Sequence, residues 1–222
     1  MISLYSGTPG SGKSCHAARD ISLRLQRKNS IVIGTFYFNT KAVKKRKGVY
    51  LRVPKYRLNP DKLLLFSRRL AKHLGRRLRE GEVKIYIDEA EMLFNPRDYA
   101  APDRRAWLSF FSLHRHYGYD IILIAQLDRM LDRQIRGQIE YEYIHRKIAN
   151  AGKIGAVLGF LSRKTMFVYI KRWYPVKQTV ESDFFWAGKS IYELFDSYED
   201  FDLVDEKAHK KEVRRLGRVN GG

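Results

Sequence analysis

Ile2-Ser3-Leu4-Tyr5-Ser6-Gly7-Thr8-Pro9-Gly10-Ser11-Gly12-Lys13-Ser14 opens the chain almost at its first residue. Residues 2–6 read as a short strand, and Gly7 to Ser14 match the pattern G-x-x-x-x-G-K-[ST] at the turn where a strand hands over to a helix. The glycines let successive backbone amides converge on one centre, where side chains would block the approach of a phosphate, and the following helix N-terminus adds positive potential. Lys13 then serves as a mobile charge for the β and γ phosphates of ATP, and the Ser14 hydroxyl as a hard oxygen ligand for Mg²⁺. Cys15 is expected to join Gly7 to Ser14 in binding the nucleotide, with its side chain favouring small apolar packing beside the loop over a reactive thiol.

A phosphate turn of this kind needs a carboxylate beside the metal. Ile85-Tyr86-Ile87-Asp88-Glu89 places an acidic pair at the end of an apolar strand. Asp88 is the expected magnesium ligand, directly or through water, and Glu89 the group that orients and activates the attacking water. Gln126 closes another apolar strand, Ile121 to Ala125, and is the candidate sensor of the γ-phosphate. Further on, Asp128 to Arg136 carries three arginines, of which Arg133 and Arg136 are the candidates for a charge presented to a neighbouring subunit's phosphate.

Around these motifs the chain alternates short β-rich runs with helical ones, the pattern of an α/β fold on a mainly parallel sheet flanked by helices. The first helix runs from Lys13 to about Arg27 with Ala17, Ile21, Leu23 and Leu25 inward, and Ile31 to Phe38 is the second strand. Val49 to Val53 follows a basic stretch, Lys41 to Lys47, in which five of seven residues are cationic. Asn59 and Pro60 start a helix that Gly81 would end, with Leu63, Phe66, Leu70, Leu74 and Leu78 as its apolar stripe and Arg68, Arg69, Lys72, Arg76 and Arg79 opposite. A helix from Asp103 to Tyr117 stops at Gly118. Tyr141 to Ile148 and Thr165 to Trp173 alternate in polarity as half-exposed antiparallel strands do, so residues 141–173 are expected to add an edge hairpin. Gly152, Gly155 and Gly159 lie in its connection, Phe184, Phe185 and Trp186 are expected to pack, and a short helix is expected within Ser190 to Tyr198. Residues 1–198 form the expected ATPase domain, and 199–222 a polar, basic tail.

With 222 residues, 44% apolar, the chain is long enough for one substantial core. Its single cysteine excludes an internal disulfide and fits a reducing compartment. The longest apolar run, Ile154 to Leu161, is eight residues with two glycines, far short of the ~20 a spanning helix needs, so the sequence reads as soluble. No cleavable leader is evident. Forty-three Lys and Arg against 24 Asp and Glu leave a formal charge of +19, which suits a polyanion such as nucleic acid or an anionic leaflet. His114 and His116 lack companions at ligand spacing, so no structural metal is expected.

Gly7 to Ser14, Asp88-Glu89, Gln126, the Asp132 to Arg136 stretch and Ile191-Tyr192-Glu193-Leu194-Phe195-Asp196-Ser197-Tyr198-Glu199 together resemble the Zot-like family of filamentous-phage assembly ATPases, over roughly residues 1 to 200. The resemblance implies the cytoplasmic ATPase domain of an inner-membrane morphogenesis protein that powers virion extrusion and packaging of single-stranded DNA. It further implies a homo-oligomeric ring and phage coat or assembly proteins as partners. The toxin activity in the family's name is assigned outside the ATPase domain, and no matching residues occur here. Members typically continue into a membrane span and a short periplasmic part, which this chain lacks; His209 to Arg215 would suit the cytoplasmic flank of such a span. Two alternatives stand beside this reading: a DNA translocase of the FtsK and HerA kind, and a nucleotide-regulated interaction module without significant turnover.

Overall fold

The computed structural model describes residues 1–97, 103–148 and 165–195. Its centre is an eight-stranded sheet in the order β3-β2-β4-β5-β1-β6-β7-β8. The strands are β1 (Ile2–Ser6), β2 (Ile31–Gly34), β3 (Val49–Arg52), β4 (Val83–Ile87), β5 (Tyr119–Ile124), β6 (Tyr141–Lys147), β7 (Thr165–Trp173) and β8 (Gln178–Ala187). From β3 to β6 every neighbouring pair is parallel, and β6, β7 and β8 are joined antiparallel. The expected α/β class with a mainly parallel sheet is the one observed.

The apolar runs are continuous because both sheet faces are covered. On one face Leu4, Ile85, Ile87, Ile121 and Leu123 pack with Leu63, Trp107, Phe110 and Phe111, from helices α2 (Pro60–Leu74) and α3 (Arg104–Leu113). On the other, Tyr5, Val32, Tyr86, Ile122 and Ile124 pack with Ala17, Ala18, Ile21 and Leu25 of α1 (Lys13–Leu25). Within β5 alone, Ile121 and Leu123 serve one core while Ile122 and Ile124 serve the other, which is the two-residue period of an extended chain. Short helices α4 (Arg133–Arg136) and α5 (Lys189–Tyr192) and several 3-10 turns complete the described elements.

Several boundaries depart from the sequence expectation. Helix α2 ends at Leu74, seven residues before Gly81, because Gly75 adopts φ 64° and returns its N–H to Ala71 and Lys72. A left-handed glycine closes a helix without the strain that a side chain would bring there. Asn59 caps the other end, accepting from the amide of Asp61 at 2.8 Å. Leu63 is buried and Phe66 and Leu70 pack against the core, but Leu74 is exposed at the helix end, and Leu78 reaches the core from beyond the helix. Strand β2 stops at Gly34 instead of Phe38, and the Tyr50 ring fills the space where a Cβ at Gly34 would project, so that position requires glycine. Helix α3 finishes at Leu113 and α1 at Leu25, and Leu23 faces solvent at 50% exposure in place of the core.

At the other edge the antiparallel partnership of residues 141–147 with 165–173 is present, yet β6 also pairs parallel with β1. The outer edge is β8, a ten-residue strand that the sequence expectation does not include. Phe185 is buried there, while Phe184 and Trp186 are 59% and 47% exposed, so the expected packing holds for one of the three aromatics. The short helix expected within residues 190–198 is seen as α5. Gly152, Gly155 and Gly159, and the expected tail at 199–222, lie outside the described residues.

Beneath the β1–α1 turn, α1 and β6 meet through two buried histidines, with His16 Nδ1 2.7 Å from His145 Nε2. His145 Nδ1 faces the Ser6 carbonyl at 3.2 Å, and a carbonyl can only accept, so His145 donates there and receives the His16 proton at Nε2. The His16 ring stacks between Tyr5 and Tyr169, with centroids at 4.6 and 4.5 Å. Burial holds His16 at about 4, with Asp20 opposing and Arg19 and Lys84 adding to the shift, and holds His145 at about 3. Both values lie below the unfolded value of about 6.5, so the pair's contribution to stability is complete above that pH and is lost as pH falls toward 4. Denaturant midpoints of the wild-type chain should therefore decline across pH 6.5 to 4. Replacing both histidines by glutamine should flatten that decline.

Candidate functional site

The loop Gly7 to Gly12 sits at the C-terminal end of β1 and runs into α1. Gly7, Gly10 and Gly12 all have positive φ, at 145°, 73° and 100°. At Gly12 a Cβ would lie 2.5 Å from the Phe167 ring of β7, so both the backbone conformation and the close approach of a neighbour demand glycine there. The Gly7 amide donates to the Gln126 carbonyl at 3.0 Å, which ties the turn to the end of β5. Thr8, Pro9, Gly10 and Ser14 are exposed, whereas Ser11 is buried and its Oγ has no hydrogen-bond partner among the described residues. Buried hydroxyls are normally satisfied. An oxyanion inside the loop would supply the missing acceptor.

Lys13 folds back over its own turn, donating from Nζ to the carbonyls of Gly7 at 2.6 Å and Thr8 at 3.2 Å. Burial lowers its basicity, and Asp88, Glu91 and Glu89 oppose that shift in decreasing order. The lysine is thus desolvated and held by weak neutral acceptors. A polyphosphate offers it a stronger partner. Cys15 is buried against Phe167, Phe185 and Ala187, and desolvation pushes its thiol up to about 11. It packs as a small apolar group and is protonated at neutral pH.

Facing the turn, Asp88 lies at the end of β4. Its amide donates to Thr35 Oγ1 at 2.9 Å, and its Oδ1 accepts from the Glu89 amide at 3.0 Å. Burial raises its carboxyl to about 6 against the pull of that amide, Lys55 and Lys13. A carboxylate kept at this cost is suited to a cation that would restore its charge. With the exposed Ser14 hydroxyl it supplies the hard oxygens that magnesium takes, so the donor set fits the expected ion. Glu89 adopts φ 44° and ψ 53°, and its Oε2 lies 3.3 Å from Lys55 Nζ. Glu91, in the following 3-10 turn Ala90–Met92, has a buried Oε2 without a partner among the described residues.

Strand β5 lies between β1 and β4, so Gln126 emerges at its tip, between the phosphate turn and the acidic pair. Arg133 and Arg136 stand elsewhere. Helix α4 is capped by Asp132, whose Oδ1 accepts from the amides of Gln134 and Ile135 and whose Oδ2 pairs with Arg104 at 3.0 Å. Ile135 anchors it in the core on the sheet face opposite α1, with Arg133 exposed and Arg136 half-buried. The geometry leaves Arg133 directed outward from its own chain.

A cavity of about 620 Å³ opens beside the turn, lined by Gly7, Thr8, Gln126, Glu142, Arg146 and Arg172 among others. Glu142 is buried in its floor, accepting from Ser6 Oγ at 2.6 Å and from Arg172 Nε at 2.7 Å. Sequence reasoning missed Lys55, Glu91, Thr35, Phe167 and this Ser6-Glu142-Arg172 chain. Glu91 alone carried a usable signal, as a third carboxylate two residues beyond the acidic pair. Lys55 is one cation among 43, and nothing in its local sequence singles it out.

Comparison with known proteins agrees with this architecture. The N-terminal domain of zonular occludens toxin from Neisseria meningitidis superposes with a TM-score of 0.53 at 19% identity, covering 88% of this chain and 98% of that one. The genome packaging NTPase B204 from Sulfolobus turreted icosahedral virus 2, in complex with ATP-gammaS, gives 0.50 at 17% identity, over 81% and 95%. A further solved structure, itself an ATPase domain, gives 0.54 at 8% identity, over 87% and 84%. At these identities the likeness concerns the fold, which is that of P-loop NTPases. A comparison with curated protein sequences gives no match. The family described as Zonular occludens toxin (Zot) matches residues 1–199, and the chain belongs to that family.

Proposed function

We propose that this chain is the ATP-hydrolysing motor domain of a filamentous-phage morphogenesis protein. The observation that carries the reading is the phosphate turn Gly7 to Ser14 facing Asp88-Glu89 across the tip of β5. The amides of Gly10 to Ser14 bind the phosphates, Lys13 leaves its loop carbonyls to neutralise them, and Ser14 and Asp88 hold Mg²⁺. That ion would supply charge neutralisation at the phosphates. Glu89 accepts a proton from the attacking water, Gln126 orients it, and Arg133 or Arg136 of one subunit completes the site of its neighbour.

In this reading the protein works as a homo-oligomeric ring on the cytoplasmic side of the host inner membrane, tethered by a segment beyond this chain. Its partners are phage coat or assembly proteins and single-stranded DNA, for which the +19 formal charge supplies attraction. An FtsK- or HerA-like translocase would differ in showing DNA-stimulated turnover with a steep salt dependence. The nucleotide-regulated module without turnover draws support from the pairing of Glu89 with Lys55 at 3.3 Å, since that carboxylate then has another occupation.

Steady-state hydrolysis per subunit, measured across a protein concentration series, separates these readings. Turnover should rise with concentration, disappear in Lys13→Ala, and fall at least about 100-fold in Glu89→Gln, the scale of a lost general base. Negligible Lys13-dependent turnover at every concentration would replace the motor with the regulatory module, and a Glu89→Gln chain as active as wild type would remove Glu89 from the water-activating role. A second expectation concerns pH. The Asp88 carboxyl titrates at about 6, and only its charged form holds a cation, so Mg²⁺-dependent binding of a fluorescent ATP analogue should weaken as pH falls through 6. Asp88→Asn should weaken binding at every pH and remove that inflection.

A further inference from the structure

We propose that Lys55 is a positioning residue that parks Glu89 away from the phosphate turn, and that turnover requires this ion pair to open. The inference rests on Glu89 serving as the water-activating group in the reading above. Lys55 begins the 3-10 turn Lys55–Arg57 that follows β3. In the sheet order, β2 and β3 lie on one side of β4, while β5 and the phosphate-bearing β1 lie on the other. A Glu89 side chain drawn toward the turn after β3 is therefore drawn away from β1.

The two partners are unequally fixed. The Lys55 side chain is only 14% exposed, against 56% for Glu89, and its ammonium also lies 3.3 Å from Met92 Sδ. Its turn is closed by the amides of Arg57 and Leu58 on the Pro54 carbonyl, at 2.9 and 3.1 Å. Lys55 is the fixed post, and Glu89 is the arm that can swing. Two further observations agree. Of the three carboxylates that support the charge on Lys13, Glu89 contributes least, behind even Glu91, although it is bonded directly to Asp88, which contributes most. Meanwhile the Glu89 backbone is held left-handed between the Asp88 carboxylate, which accepts its N–H, and the Met92 amide, which donates to its carbonyl at 2.9 Å. Side-chain rotation is the motion this leaves free. Opening the pair therefore restores the aim of the carboxylate toward the phosphate turn.

The test compares wild type, Lys55→Met, Lys55→Arg, Glu89→Gln and the Lys55→Met/Glu89→Gln double variant in ATP turnover, with Lys13→Ala as blank and thermal melting as the check on folding. Lys55→Met keeps the length and packing beside Met92 while removing the charge. It should raise kcat about two- to fivefold, the scale that a partly exposed ion pair allows, with KM for ATP unchanged. Lys55→Arg, which keeps the cation, should stay near the wild-type rate, and the double variant should match Glu89→Gln alone, because the effect runs through that carboxylate. Should Lys55→Met melt at a much lower temperature, Lys55→Gln carries the same comparison. Lys13-dependent turnover that is unchanged or lower without the Lys55 charge would overturn the latch and leave the ATPase reading intact. Absence of Lys13-dependent turnover in every variant would overturn both.

Discussion

The placement of β5 between β1 and β4 is the constraint from which the site follows. Five of its six residues are buried and Ile121 to Leu123 are paired on both sides, and it separates the phosphate turn from the acidic pair by two strand spacings, about 10 Å at ~4.8 Å per strand. In the reading proposed above, that interval is where the γ-phosphate and the attacking water would lie. The bond from the Gly7 amide to the Gln126 carbonyl then fixes the height of the turn against the tip of the intervening strand, so the spacing across the sheet and the position along it are set by one element.

Much of this was legible because the deciding signals are local. A glycine pattern that needs positive φ, a lysine at its end, and an acid pair closing an apolar run each specify their own surroundings. The run Ile121 to Ala125 declares a central strand because no half-exposed strand tolerates five apolar residues in succession. What escaped was contact made at a distance. Lys55 meets Glu89 across 34 positions, Phe167 meets Gly12 from the far half of the chain, and no periodicity encodes either. The α2 boundary failed for a different reason. Gly75 and Gly81 are both competent stops, both adopt positive φ, and the apolar stripe continues in register to Leu78. Gly75 is the one that closes the helix, and Leu78 still reaches the core from beyond it.

The β6–β8 side shows a related limit. Residues Gln178 to Asp183 are polar or exposed almost throughout, since an edge strand needs only one neighbour and one covered face, and the alternation that marks a strand is diluted there. The edge is nevertheless tied to the phosphate turn. Phe167 from β7 presses on Gly12 and Phe185 from β8 lies behind it at a centroid distance of 5.4 Å, with Cys15 in the same cluster. A mechanical disturbance at this edge would reach the backbone that binds phosphate through three packed side chains.

Electrostatics give the two ends of the site opposite characters. Asp88 and Lys13 are both desolvated, and burial pushes each toward its neutral form, so each gains when a counter-charge arrives. Glu89 is solvated and already paired. Binding of a magnesium-bound triphosphate is therefore favoured by groups whose charge the fold alone leaves poorly solvated, while the group assigned to hydrolysis gains nothing from that binding alone. Such a division separates loading from firing. Under the motor reading proposed above, the Glu89–Lys55 contact at the acidic tip of β4 is then one that a later step can change, since a change in affinity needs a differential contact.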